Sequence, residues 1–147
     1  MSAPLSLTTR FPSARFYPDW RLLAWYPTGI LDDKEADRVL EFVELREKID
    51  GQPFNRYTDL TGLTQIKTGL GHVVRMARQR HRYAGPPVKS AFYGARLISL
   101  TIAGMYAELM KDSRIHVSIF RDKNEAAAWL GVPRKALLPP KDPVDVN

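Results

Sequence analysis

The chain has no cysteine among its 147 residues. Disulfide frameworks, thiolate metal sites, iron–sulfur clusters and cysteine nucleophiles are therefore excluded by count, and a reducing compartment is permitted. Long apolar runs are missing too: the longest mainly apolar stretch without charge, Leu97 to Ala107, lies between Arg96 and Glu108. That is well short of the roughly 20 residues a membrane span needs. Met1-Ser2-Ala3-Pro4-Leu5 lacks the basic and apolar pattern of a secretory signal, so the expected location is the cytoplasm. No Gly-x-Gly-x-x-Gly or Gly-x-x-x-x-Gly-Lys-[Ser/Thr] follows any strand-like segment; Gly69-Leu70-Gly71 lacks the third glycine. Nucleotide binding has no motif to rest on.

Acidic residues are absent over one third of the chain. Between Leu60 and Ala107 there is no Asp or Glu, while Lys67, Arg75, Arg78, Arg80, Arg82, Lys89 and Arg96 fall there. Half of all the acids lie instead between Asp32 and Asp50. The net charge of +6 is thus the sum of an acidic and a basic segment, and the question is whether these face each other, solvent or a partner.

The residues present read as one soluble domain, 44% hydrophobic and 26% charged. Residues 1–13 form a flexible arm, and Arg15-Phe16-Tyr17 and Trp20 to Tyr26 a hairpin turned by Pro18-Asp19 and closed by Thr28-Gly29. Asp32 with Glu35 is a capping pair, after which Ala36, Val39, Leu40, Val43 and Ile49 recur at helical spacing until Asp50-Gly51. Phe54 to Leu60 reads as a strand and Thr64 to Tyr83 as a basic helix ended by Gly85-Pro86-Pro87. A strand at Val88–Gly94, an apolar helix over Leu97–Met110 and an alternating strand at Ile115–Phe120 come next. Asp122 then caps a short helix stopped by Gly131 and Pro133, and residues 132–147 look like a Pro-rich extended tail. The order β-β-α-β-α-β-α-β-α predicts an α/β fold: a four- to five-stranded, mostly parallel mixed sheet with an initial hairpin and about four helices.

The junction Asp59-Leu60-Thr61-Gly62-Leu63 and the closing run Ile119-Phe120-Arg121-Asp122-Lys123-Asn124-Glu125-Ala126-Ala127-Ala128-Trp129-Leu130 resemble the SpoIIAA-like, or STAS-like, domain. That fold family is named for sulphate transporters and anti-sigma-factor antagonists, and the resemblance spans roughly residues 14–131. Phosphorylatable members carry Asp-Ser-Ser-Gly at the start of a helix, with the modified serine directly before the glycine. Here Thr61 stands at that acceptor position, and Leu60 replaces the first serine. The resemblance implies a non-enzymatic regulatory domain that binds a protein partner through Asp59, Gly62 and the basic helix with Lys67, Arg75, Arg78 and Arg82, with a phospho-switch at Thr61. A phosphate at a helix N-terminus would meet free backbone N–H groups, with Lys67 nearby. The plainer role for Thr61 or Thr64 is a helix cap.

Other chemistry is thinly represented. His72, His81 and His116 have no metal-ligand spacing, and no serine sits in a nucleophile context, so neither a metal, a cofactor nor a catalytic residue is assigned. The arginine-rich helix offers no ring beyond Tyr83 for base stacking, which disfavours nucleic acid. It reads equally as a solvated face, or as the complement of the acidic helix in the same chain or in a homodimer. The alternative function is a carrier or sensor of a small anionic or apolar, lipid-like ligand. Met105, Tyr106 and Met110 would line a pocket under the Leu97–Met110 helix, beside Lys67, Arg75 and Arg78.

Overall fold

The computed structural model describes residues 13–139. Its strands are β1 (Ala14–Tyr17), β2 (Leu22–Trp25), β3 (Gly29–Leu31), β4 (Asn55–Asp59), β5 (Leu63–Ile66), β6 (Val88–Tyr93) and β7 (Ile115–Phe120). Five of them form one sheet in the order β1-β2-β4-β6-β7. The β1–β2 pair is antiparallel and every other pair in this sheet is parallel, which is the α/β arrangement expected from the order of elements. Helices α1 (Asp33–Asp50), α2 (Leu70–Arg80), α3 (Leu97–Leu109) and α4 (Lys123–Leu130) connect or follow these strands.

The helix ends obey the capping chemistry seen in the sequence. The Asp32 side chain accepts the Glu35 N–H at 2.9 Å, and the Asp122 side chain accepts that of Asn124 at 2.8 Å. Gly51 and Gly131 each take φ 74°, the left-handed turn that lets the chain leave a helix without a Cβ clash.

The pleat of the sheet sorts its residues between two cores. Leu22, Ala24, Tyr57 and Ala91 point to the face covered by α4, whose Ala126, Ala127 and Leu130 pack on them. On the opposite face, Leu23 and Trp25 meet Phe42 of α1, while Val88 and Ile115 meet Ala77 of α2 and Met110. Three helices thus lie on one face and one on the other. Both faces of the inner strands are buried, the usual setting of parallel strands.

Two expectations are corrected. The basic helix does not begin at Thr64: Leu63–Ile66 is the strand β5, paired in parallel with β3 in a separate two-stranded sheet. Gly69 is the N-cap of α2 in an extended conformation, so the helix starts at Leu70. The second correction concerns residues 132–139, which do not trail away. Arg134–Leu137 is a 3₁₀ turn that buries Ala136 and Leu137 against the α4 side of the sheet, and the Tyr26 hydroxyl donates to the Leu138 carbonyl at 3.1 Å. Ser13, expected in the arm, accepts the Tyr26 N–H at 2.9 Å through its backbone carbonyl. The rest of the expected arm and tail, residues 1–12 and 140–147, lie outside the described residues.

Truncating a fully buried leucine removes its transfer free energy and leaves a cavity. Leu137→Ala is expected to lower the unfolding free energy by about 2–5 kcal/mol in a urea titration, where an extended tail would give no change.

Candidate functional site

The corner singled out by the sequence lies at the C-terminal end of β4, an inner strand. Asp59 is only 3% exposed. Its Oδ1 accepts both the Thr61 N–H at 2.9 Å and the Thr61 hydroxyl at 2.6 Å, and its Oδ2 lies 3.8 Å from Lys123 Nζ. Gly62 is required by space: a Cβ there would sit 2.8 Å from the Pro27 carbonyl oxygen. Thr61 and Gly62 themselves are exposed. Both belong to a 3₁₀ turn, Leu60–Gly62, and β5 starts at the next residue. The α-helical N-terminus expected to cradle a phosphate at Thr61 is therefore absent from the corner, because the chain adds a strand before α2 starts.

The basic residues separate. Lys67, Arg75, Arg78 and Arg82 are exposed, and Arg75 pairs with His72 Nδ1. Arg80, by contrast, is 4% exposed and turned inward. His72 is buried between helices, with Nε2 2.8 Å from Asp37 Oδ1, and His81 Nε2 lies 2.8 Å from the Leu109 carbonyl oxygen. Among the described residues, no group of three acidic or histidine side chains is arranged to hold a metal.

The feature with the geometry of a binding site is a cavity of about 160 Å³ between the sheet and α1, α2 and α3. Its sheet wall is Trp25, Arg56, Thr58, Ser90 and Phe92, and Leu40 and Val43 of α1, Val73 and Met76 of α2, and Ala103 and Tyr106 of α3 close it. Of the three residues expected to line a pocket under α3, only Tyr106 does so. Met110 is completely buried against Ala77, Val88 and Ile115, one helical turn beyond the cavity wall, and Met105 does not line the space. Burial pushes the Tyr106 phenol up to about 12.

Polar groups interrupt this mainly apolar space at Arg56. Register places Arg56 of β4 between Leu23 and Ser90, on the face that the three helices cover. The guanidinium is desolvated, which lowers its pKa, and Glu47 opposes that shift. Glu47 Oε2 accepts short hydrogen bonds from both Arg56 and Arg80. Glu44 Oε2 lies 3.3 Å from Arg80 Nη1, and Gln79 Nε2 donates to both Glu44 carboxylate oxygens. The guanidinium of Arg56 stacks at 4.5 Å from the Phe54 ring centroid and 5.4 Å from that of Tyr83. Two hydrogen-bonding atoms of wall residues, Arg56 Nε and Thr68 Oγ1, are buried with no hydrogen-bond partner among the described residues. Arg56 also borders a second cleft of about 180 Å³, shared with Glu47, Phe54 and Tyr83.

The linear pattern does not single out Arg56 as a site residue, and it groups Arg80 with the surface arginines. The signal it does carry is parity: Phe54, Arg56 and Thr58 share one face of an inner strand, so an arginine there must be buried and partnered. The partners are Glu44 and Glu47 of the acidic helix. Part of the complementary charge thus meets within one chain, and the exposed acids and arginines that remain are all that could pair between two copies.

No family model matches the chain, and no curated protein does. A solved structure from Shewanella loihica PV-4, an uncharacterized protein of the DUF3478 family described as having a SpoIIAA-like fold, is similar over 74% of this chain and 83% of its own, with 16% identity and a TM-score of 0.47. Among the described residues, no helix is long and apolar enough to cross a membrane.

Glu47→Gln would leave two buried guanidiniums facing a single remaining carboxylate. Loss of one member of such a network is expected to cost about 3–5 kcal/mol in chemical denaturation, far more than an exposed acid such as Glu41 would.

Proposed function

We propose that the protein is a non-enzymatic binding module that holds a small, mainly apolar molecule between its sheet and helices α1 to α3. The observation that carries this reading is the cavity itself, with an apolar wall and two unpartnered polar atoms on residues that line it. Its volume is close to that of an engineered apolar cavity of about 150 Å³ that binds benzene in another protein. Ring-sized ligands fit such a space, and long acyl chains do not. The charged groups at the cavity do not make a catalytic set: Glu44 and Glu47, the nearest candidate bases, already accept from arginine, Arg56 and Arg80 supply only donors, and Tyr106 is a neutral phenol at neutral pH.

A second reading belongs to the corner, as a contact point for a protein partner controlled at Thr61, with Asp59, Gly62 and the exposed Lys67, Arg75, Arg78 and Arg82 contributing. The Thr61 hydroxyl supports it, since its residue is exposed yet it donates to Asp59. Phosphorylation would remove that donor and set a dianion beside a buried carboxylate, opening the turn by like-charge repulsion.

Toluene is expected to raise the thermal unfolding midpoint, since a ligand at a hundred times its Kd adds about 2.7 kcal/mol to the folded state. Ala103→Phe, which fills the cavity from α3, should abolish the rise; an equal rise in both proteins, or none in either, removes the reading. At the corner, Thr61→Glu should lower the unfolding free energy by about 1 kcal/mol relative to Thr61→Ser, through loss of the bond to Asp59 and the added repulsion. Equal stability of the two variants would dismiss the switch.

A further inference from the structure

We propose that the outer face of α2 and α3 docks on an anionic lipid bilayer, its apolar side chains entering the membrane surface and the cations beside them meeting lipid phosphates. The face lies outside the cavity, so the proposal stands or falls separately from the binding function.

Helix α3 is apolar on both sides. A helix that covers a sheet ordinarily turns a polar face to water. Between Arg96 and Glu108, however, α3 has no charged residue. Ser99 and Ala103 are buried, whereas Leu97 is 77% and Ile98 52% exposed among the described residues. Leu70, the first residue of α2, is 60% exposed. The topology brings these three together. Helix α2 leads into β6 and α3 into β7, and those strands are parallel, so the two helices run side by side in the same direction. At one end His81 Nε2, just past α2, lies 2.8 Å from the Leu109 carbonyl oxygen. At the other end Leu70 therefore stands beside Leu97 and Ile98, and the exposed Leu109 extends the apolar strip along α3.

The charges around this strip have one sign. Lys67, Arg78, Arg82 and Arg96 are exposed, and none belongs to an ion pair among the described residues. Arg96 Nη1 donates to the Thr64 carbonyl at 3.0 Å, which draws it toward β5 and the Lys67 that follows that strand. Neither helix has an acid in its first turn. The neighbouring acids are engaged: Glu108 pairs with Lys111 at 2.9 Å, and Asp33 and Asp37 of α1 meet His72 on the far flank of α2.

This combination favours a bilayer over a protein. A second copy would set one cation-rich face against another, and like charges oppose that contact. Leu70, Leu97 and Ile98 line neither of the two clefts described above, so the strip offers no recess there for a partner's side chain. A bilayer needs none. Apolar tips sink into the boundary between headgroups and acyl chains, while Lys and Arg stems keep their charges at the phosphates.

Cosedimentation of the full chain with vesicles tests this, using equal parts phosphatidylglycerol and phosphatidylcholine, or phosphatidylcholine alone. Binding to the anionic vesicles should exceed binding to the neutral ones by at least about tenfold and weaken as salt is raised. Arg78→Gln and Arg82→Gln should each lower the affinity about fivefold. Leu97→Ser combined with Ile98→Ser should lower it about tenfold or more. All four positions are exposed, and circular dichroism confirms that each variant folds. Failure to sediment with anionic vesicles, as an acidic protein partner would predict, overturns the proposal. So does equal binding to neutral vesicles, or undiminished binding by the paired serine variant, which would reduce the contact to charge alone. A dimer in analytical ultracentrifugation that the serine pair dissociates would give the face to a second copy and equally overturn it.

Discussion

An arginine on the covered face of an inner strand constrains everything packed above it. Arg56 cannot reach bulk water from the middle of the sheet, so its charge has to be met by side chains from the helices. Glu47 of α1 meets it, and the same carboxylate oxygen also takes Arg80 of α2. A single atom thereby ties β4, α1 and α2 together. Ion pairs of this kind contribute little net stability, because desolvation offsets most of the Coulomb gain, but breaking one strands a charge. The constraint is geometric as much as energetic. Helix α1 must present Glu44 and Glu47 at the height of Arg56, and α2 must end with Arg80 inward. The helices cannot settle onto the sheet as apolar helices would, and a space lined by Leu40, Val43 and Val73 remains beside the ionic end.

That constraint also explains the uneven spread of charge along the chain. Acid-rich α1 and acid-free α2 are neighbours, and besides the arginine network they share the contact of His72 with Asp37 and of Gln79 with Glu44. The positive excess is then carried by the outward residues, Arg75, Arg78 and Arg82 among them. Charges of one sign concentrated in one segment look like a docking surface when read linearly. In three dimensions part of the pattern is consumed internally.

Elements governed by local chemistry are legible in the sequence. Asp32 and Asp122 with their side-chain caps, Gly51 and Gly131 at helix ends, and the alternation of Ile115 to Phe120 each act over a few residues, and the structure shows each of them. Elements that depend on distant partners are not legible. Leu63–Ile66 is a strand because Gly29–Leu31 lies alongside it, and helical spacing of Ile66 with Leu70 hides that pairing; Leu70 is in fact 60% exposed. Leu137 is core because Tyr26, Tyr57 and α4 leave a place for it, a fact that its proline-rich surroundings conceal. The site divides the same way. Tyr106 is one of three large side chains near the end of α3 that the sequence offers as a lining, and the sequence does not separate it from Met105 and Met110; Arg56 needs the identity of its strand as inner and the knowledge of which face the helices cover.

The corner and the cavity share one short element. The 3₁₀ turn Leu60–Gly62 places Leu60 in the cavity wall, 6% exposed, and the next residue, Thr61, in solvent. Asp59 fixes this turn from one side through Thr61, and the Pro27 carbonyl fixes it from the other by leaving no room for a Cβ at Gly62. Coupling between two sites requires an element whose arrangements differ in their contacts to both. The turn contributes one residue to the ligand space and the next to the surface, so an element with two such arrangements would have to include it. Leu60 is held by Leu63, Ala103 and Phe92, and Thr61 by its two bonds to Asp59. The wall of the cavity and the exposed threonine of the corner are thus supplied by two consecutive residues, Leu60 and Thr61.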